Sequence, residues 1–196
     1  TNFAKSAVTE YDKAEQAATR LLTALKGNVQ VQQSLIRLAE ERQKVTLYED
    51  DEIVAAMAKL TMYTREESKI KQLIPLIQDF ATAQQMDLVT AAGAVGKAVS
   101  GSNMMLQKMG FITTGTAGSA ERFASVMTVL NDKVGGQAAA AAQTGIGALK
   151  LLALQWKDIT EKIGGAIVES DRFKKVIFNL QLAVWALNTK NKKIDQ

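Results

Sequence analysis

The chain has 196 residues, of which 24 are Lys or Arg, 20 are Asp or Glu and 47% are hydrophobic. It is long enough to bury a core and too apolar for disorder. It contains neither cysteine nor histidine, which excludes disulfides, thiolate nucleophiles, histidine-dependent triads and the usual zinc and copper ligands. No cofactor or metal is expected. The formal charge is +4, and the basic excess gathers late: Arg172 to Asp195 carries six basic residues against one acid. A solvated helix end is preferred there over contact with DNA or anionic lipid. Nothing near Thr1 reads as a secretory signal, and the chain is expected to be a part of something longer.

A single proline and 13 glycines point to an all-α chain of about eight or nine helices with glycine-rich breaks and no sheet. A first helix spans Asn2 to Lys26, stopped by Gly27-Asn28, and a second runs from Val29 to Lys44 with Val31, Leu35 and Leu38 at helical spacing. Glu40 and Glu41 are adjacent and diverge on a helix, so they form a wet face rather than a carboxylate pair. Asp50 or Asp51 can cap a helix carrying Ile53, Met57 and Leu60. Thr64 and Glu67 have capping-box spacing before Ile70, Leu73, Ile74 and Ile77. Pro75 falls inside that pattern and predicts a kink or break.

After Met86, Leu88, Ala91, Val95 and Val99 form a small-residue face, and Gly93, Gly96 and Gly101 permit close backbone approach. Met104, Met105, Leu106 and Met109 make a short helix that ends at Gly110, with the methionines read as core. Ile112 to Gly118 is a loop. Its Thr114-Gly115-Thr116-Ala117-Gly118 run lacks the lysine and the strand of a phosphate-binding loop. Ser119 caps a helix with Phe123, Val126, Met127 and Leu130. From Val134 to Trp156 only Lys150 is charged, yet alanine, glycine and glutamine make the stretch too weakly apolar for confident membrane insertion. Leu149, Leu152, Trp156, Ile159 and Ile163 follow a 3, 4, 3, 4 spacing and predict a packing seam. Gly164-Gly165 is expected to interrupt. Ser170 or Asp171 caps a last apolar helix, Val176 to Trp185, before the lysine-rich tail.

The succession Asp87 to Gly101, containing Gly93, Gly96, Lys97 and Gly101, followed by Leu106, Lys108, Gly110 and Phe111, resembles the core of phage tail tape-measure proteins. Those carry a small-residue helix, a Gly-Lys-Ala-hydrophobic-x-Gly turn and a Leu-x-Lys-hydrophobic-Gly-hydrophobic step. Downstream, Asn131 to Gly136 with Gly135 and Gly136, an alanine run, and Leu149 to Trp156 resemble the family's glycine-alanine segment and Leu-x-x-x-Trp helix. The likeness covers roughly Leu35 to Ile167. It divides the chain into an N-terminal helix at 1–27 that continues a rod, a tape-measure-like helical domain at 28–168, and an apolar helix with a basic tail at 169–196.

The resemblance implies a structural, non-enzymatic role in the virion, in the tail-tube lumen or at its tip. Assembly would take place in the host cytoplasm, and the protein would set tail length and leave during DNA ejection. It implies a homo-oligomer, a trimer being one candidate, with tail-tube and tail-tip proteins as partners and the host membrane as a contact on ejection. The alternative is a membrane-active helical protein that inserts Val134 to Leu154 and Val176 to Leu187 to assist DNA entry. A cell-wall hydrolase would need a buried acid. Asp79 comes nearest, but a polar-face position is preferred for it.

Overall fold

The computed structural model describes residues 2–172, 174–176 and 178–179. The expected helix Val176 to Trp185 lies largely outside them, and the lysine-rich tail and most of the Val176 to Leu187 stretch do so too. Among the described residues the chain is all-α: α1 (Asn2–Ala24), α2 (Val29–Gln43), α3 (Asp50–Leu60), α4 (Glu67–Gln84), α5 (Leu88–Ser100), α6 (Met104–Lys108), α7 (Ala120–Val134), α8 (Gln137–Ala142) and α9 (Gly145–Glu169), with no strand. Contacts divide it into two units: Lys13–Trp156, and Thr1–Asp12 together with Lys157–Gln196. Each of α1 and α9 contributes to both.

In the larger unit the predicted apolar faces form one core. Leu35 and Ala39 of α2, Ile53, Met57 and Leu60 of α3, Ile70, Leu73, Ile74, Ile77 and Phe80 of α4, and Leu88, Ala91 and Val95 of α5 are fully buried, as are Leu106, Val126 and Leu130. Their three- and four-residue spacing puts them on one stripe of each helix, and burying those stripes is the main stabilising term. Met105 and Met109 pack on this core, whereas Met104 is exposed.

Helix boundaries follow local chemistry, in places other than expected. Asn28 caps α2 by accepting the Val31 N–H, Asp87 caps α5 through Thr90, and Ser119 caps α7 through Arg122. Asp50 and Asp51 fall inside the first turn of α3 rather than at its cap, and the Gln43 side-chain oxygen accepts the Asp50 N–H. Thr64 and Glu67 form no capping box. Glu66 occupies the cap position, while Glu67 accepts from Ser34 at 2.6 Å and pairs with Lys71 at 2.7 Å.

α4 also passes through Pro75 unbroken. Proline forfeits one hydrogen bond and crowds the preceding turn, at about 3 kcal/mol. Leu73, Ile74, Leu76 and Ile77 are all buried on either side, and their packing outweighs that loss.

The smaller unit holds another departure. Gly164-Gly165 does not interrupt α9. Both glycines are buried, and a Cβ on Gly164 would collide with the Ala7 carbonyl, while one on Gly165 would meet the Tyr11 ring at 3.0 Å. These glycines give α1 room to approach rather than ending a helix. Lys157 Nζ lies 3.0 Å from Glu10 Oε2 along the same contact.

Candidate functional site

The residues that carry the motif order gather at the α5 to α7 junction. α5 lies against α3 because Gly93 and Gly96 lack side chains: a Cβ on Gly96 would collide with the Tyr63 ring, and one on Gly93 would meet Lys59 Cε at 3.2 Å. α5 ends at Gly101, whose φ of 128° only glycine adopts readily. Gly110, with φ 82°, closes α6 and turns the chain so that Phe111 donates its N–H to Leu106 at 2.8 Å. Phe111 is buried edge-on against Phe80, ring centroids 5.1 Å apart, with Lys133 Nζ 5.7 Å above its ring. Lys97 and Lys108 point to solvent, and Leu106 alone of that step is fully buried.

Sequence reading did not single out the residue that joins these pieces. Arg122 of α7 is buried and donates to backbone carbonyls around the junction: Nε to Ala98 at 2.7 Å, Nη1 to Thr113 at 3.3 Å and Gly115 at 3.5 Å, and Nη2 to Gly101 at 3.3 Å. Ala98 and Gly101 belong to the last turn and cap of α5, whose carbonyls lack helical partners and carry the negative end of the helix dipole. A guanidinium fork, planar and rich in donors, can serve several at once. The signal lay in the phase: Arg122, Val126, Leu130 and Val134 recur every four residues on one face of α7. Gly115 is tight against this same turn, since a Cβ there would sit 2.7 Å from the Arg122 backbone nitrogen. The loop expected between Ile112 and Gly118 is thus a strap across the end of α5, fastened further by Gly118 N–H to Val99 at 3.2 Å.

Asp79 overturns its expectation. It is buried, not on a polar face, and its carboxylate accepts the Gly136 N–H on Oδ2 and the Ala138 N–H on Oδ1, each at 2.9 Å. Gly136, at φ 82°, opens α8. The carboxylate therefore caps a helix supplied by a distant stretch of chain and stays engaged with backbone donors, an arrangement unlike that of a general acid held in an apolar pocket.

Beside it Arg42 Nε donates to Gln78 Oε1 at 2.7 Å, Gln78 donates to Thr46 Oγ1 at 3.0 Å, and Tyr48 meets the Thr82 hydroxyl at 2.9 Å. Burial lowers the Arg42 pKa, partly offset by Asp79, and burial raises that of Tyr48. Glu52 also titrates above the ordinary carboxylate range, first through burial and then through Glu49 and Asp51. Among the described residues no three acidic side chains come together to hold a metal ion.

The remaining motif residues do not join this junction. Gly135 and Gly136 form the α7 to α8 step. Trp156 is 65% exposed on α9, and Leu149, Leu152, Ile159 and Ile163 of the predicted seam are exposed as well. Val134 to Leu154 is divided among three helices, and no described helix is long and apolar enough to cross a membrane. Comparison with known protein families, curated proteins and solved structures finds no match to this chain.

Proposed function

We propose that this chain is a structural segment of a phage tail tape-measure protein, located in the tail-tube lumen or at its end, acting in tail assembly and length determination and released during DNA ejection. The observation that carries this reading is the order of its motif: the small-residue helix with Gly93 and Gly96, the Gly-Lys-Ala-Val-Ser-Gly stop at Gly101, and the Leu-Gln-Lys-Met-Gly-Phe step to Phe111. These coincide with the joints of the fold, so the glycines sit where close packing and positive φ demand them.

A straight helix of this length would span roughly 290 Å at 1.5 Å per residue. In the larger unit the helices instead fold back on one core, which suits a part of the protein outside the extended ruler. Its partners on this reading are further copies of itself and the tail-tube and tail-tip proteins. The role is mechanical and needs no catalytic group.

The test is genetic and structural. In a phage encoding this chain, mass spectrometry of purified tails should detect it, and disrupting its coding sequence should give particles without normal tails. Normal tails of unchanged length after disruption would overturn the reading.

A further inference from the structure

Very little apolar surface holds α8 to the core. Its residues are Gln137 and a run of alanines, of which Ala138 and Ala142 are buried. Two methyl groups bury a small fraction of the surface that Leu73, Ile77 and Phe80 of α4 bury. Yet α8 packs against α4, and one carboxylate fastens it there: Asp79 accepts the Gly136 N–H and the Ala138 N–H at 2.9 Å each.

Immediately before α8 the chain passes through Gly135 and Gly136, both exposed, the second at φ 82°. Paired glycines can absorb a large change of φ and ψ, as a hinge must. After α8, Thr144 Oγ1 accepts the Gly147 N–H at 2.9 Å, and Gly147 is buried, tight against the carbonyls of Ala141 and Ala142. The end of α8 and the first turn of α9 are therefore one corner. We propose that α8 is a release catch: it leaves α4 by pivoting at Gly135-Gly136, taking that corner with it, while the core of the larger unit stays folded. The Asp79 carboxylate sets how often it opens.

The core does not depend on α8 to stay folded. The preceding helix, α7, is seated by Arg122, Val126, Leu130 and Val134, all buried, so nothing in its own anchorage is lost when α8 departs. A helix of so few residues falls well below the roughly 12–15 needed to persist alone, so undocked α8 melts and its amides meet water. Local openings of this kind precede global unfolding wherever few apolar contacts hold a segment down. The catch concerns the chain alone and does not rest on the tape-measure reading, so either can fail without the other.

Hydrogen exchange of the full chain, followed by mass spectrometry in increasing urea, reads the catch directly. Amides of 138–143 should exchange at least about 100-fold faster than those of 76–81 in α4, with little dependence on urea, because undocking uncovers little surface. Asp79→Asn, which keeps one acceptor, should speed 138–143 about 5-fold. Gly136→Ala gives a second handle away from the buried carboxylate. That position has open space but φ 82°, so the methyl strains the docked turn and should also speed those amides about 5-fold.

Exchange of 138–143 at the rate of α4, with the same urea dependence, would mean that α8 leaves only when the core unfolds, and overturns the catch. Fast exchange that Asp79→Asn leaves unchanged removes the carboxylate from the device, and fast exchange that Gly136→Ala leaves unchanged removes the pivot. Either result overturns the proposal.

Discussion

Asp79 of α4 reaches the start of α8 and accepts the Gly136 N–H at 2.9 Å, with its second oxygen on Ala138. Two residues separated by 57 positions are thus joined by a charge-assisted bond at a helix N-terminus, where a carboxylate meets both free donors and the positive end of the dipole. Replacing Asp79 by Ala leaves the Ala138 N–H unpaired in a buried place and the Gly136 N–H in a partly buried one, and should cost about 2–3 kcal/mol. Asp79→Asn, which keeps one acceptor, should cost about 1 kcal/mol. Urea unfolding followed by circular dichroism measures both, and an unchanged midpoint in Asp79→Ala would remove the capping role.

Arg122 should be the least replaceable residue of α7. Arg122→Met keeps apolar bulk but strands the Ala98, Gly101 and Thr113 carbonyls, at about 2–4 kcal/mol. Arg122→Lys retains the charge but not the fork and should fall between. Hydrogen exchange gives the sharper readout: protection of amides in 111–119 should drop in both variants before that of α4 does.

Glycine-to-alanine changes in helices ordinarily stabilise by up to about 1 kcal/mol. Gly145, with open space around its Cβ position, should follow that rule or be neutral. Gly164→Ala should reverse the sign and cost about 1–3 kcal/mol, because the added methyl meets the Ala7 carbonyl on a neighbouring helix rather than a flexible side chain. Thermal unfolding of the two variants side by side decides it, and equal stabilisation of both would mean that α1 does not pack there.

Glu52 supplies a pH dependence. Its carboxyl titrates above the ordinary range through burial beside Glu49 and Asp51, so the folded state holds that proton more tightly than the unfolded chain. Ionised Glu52 therefore costs stability above its folded pKa, and the cost disappears as pH falls below the unfolded value. Glu52→Gln should stabilise the protein near neutral pH by under about 1 kcal/mol, the group being only half-buried, and the advantage should vanish at about pH 4. Melting temperatures of both proteins across that range test the sign.

Local signals in the chain were legible where a residue's own chemistry decides. Ser119 caps α7 as expected because a short side-chain oxygen serves an N–H three residues on, and Asn28 and Asp87, not singled out as caps from the sequence, do the same for α2 and α5. Gly101 and Gly110 end helices because positive φ is open to them at no steric cost. Signals that depend on a neighbour misled. Thr64 and Glu67 have the spacing of a capping box, but Glu67 is drawn to Ser34 of α2 and to Lys71.

By itself, the sequence determined that this protein is helical, where several of its helices begin or end, and which face of α2 to α5 is apolar, since propensity, capping and periodicity act within a few residues. The tertiary structure alone decided what its ambiguous residues do. Gly164 is a packing surface rather than a stop, Pro75 is carried inside a helix, and Asp79 and Arg122 are buried clamps rather than wet charges. Each outcome turns on a partner many positions away, and the burial it gains there exceeds the local preference of a kilocalorie or so that a sequence can display.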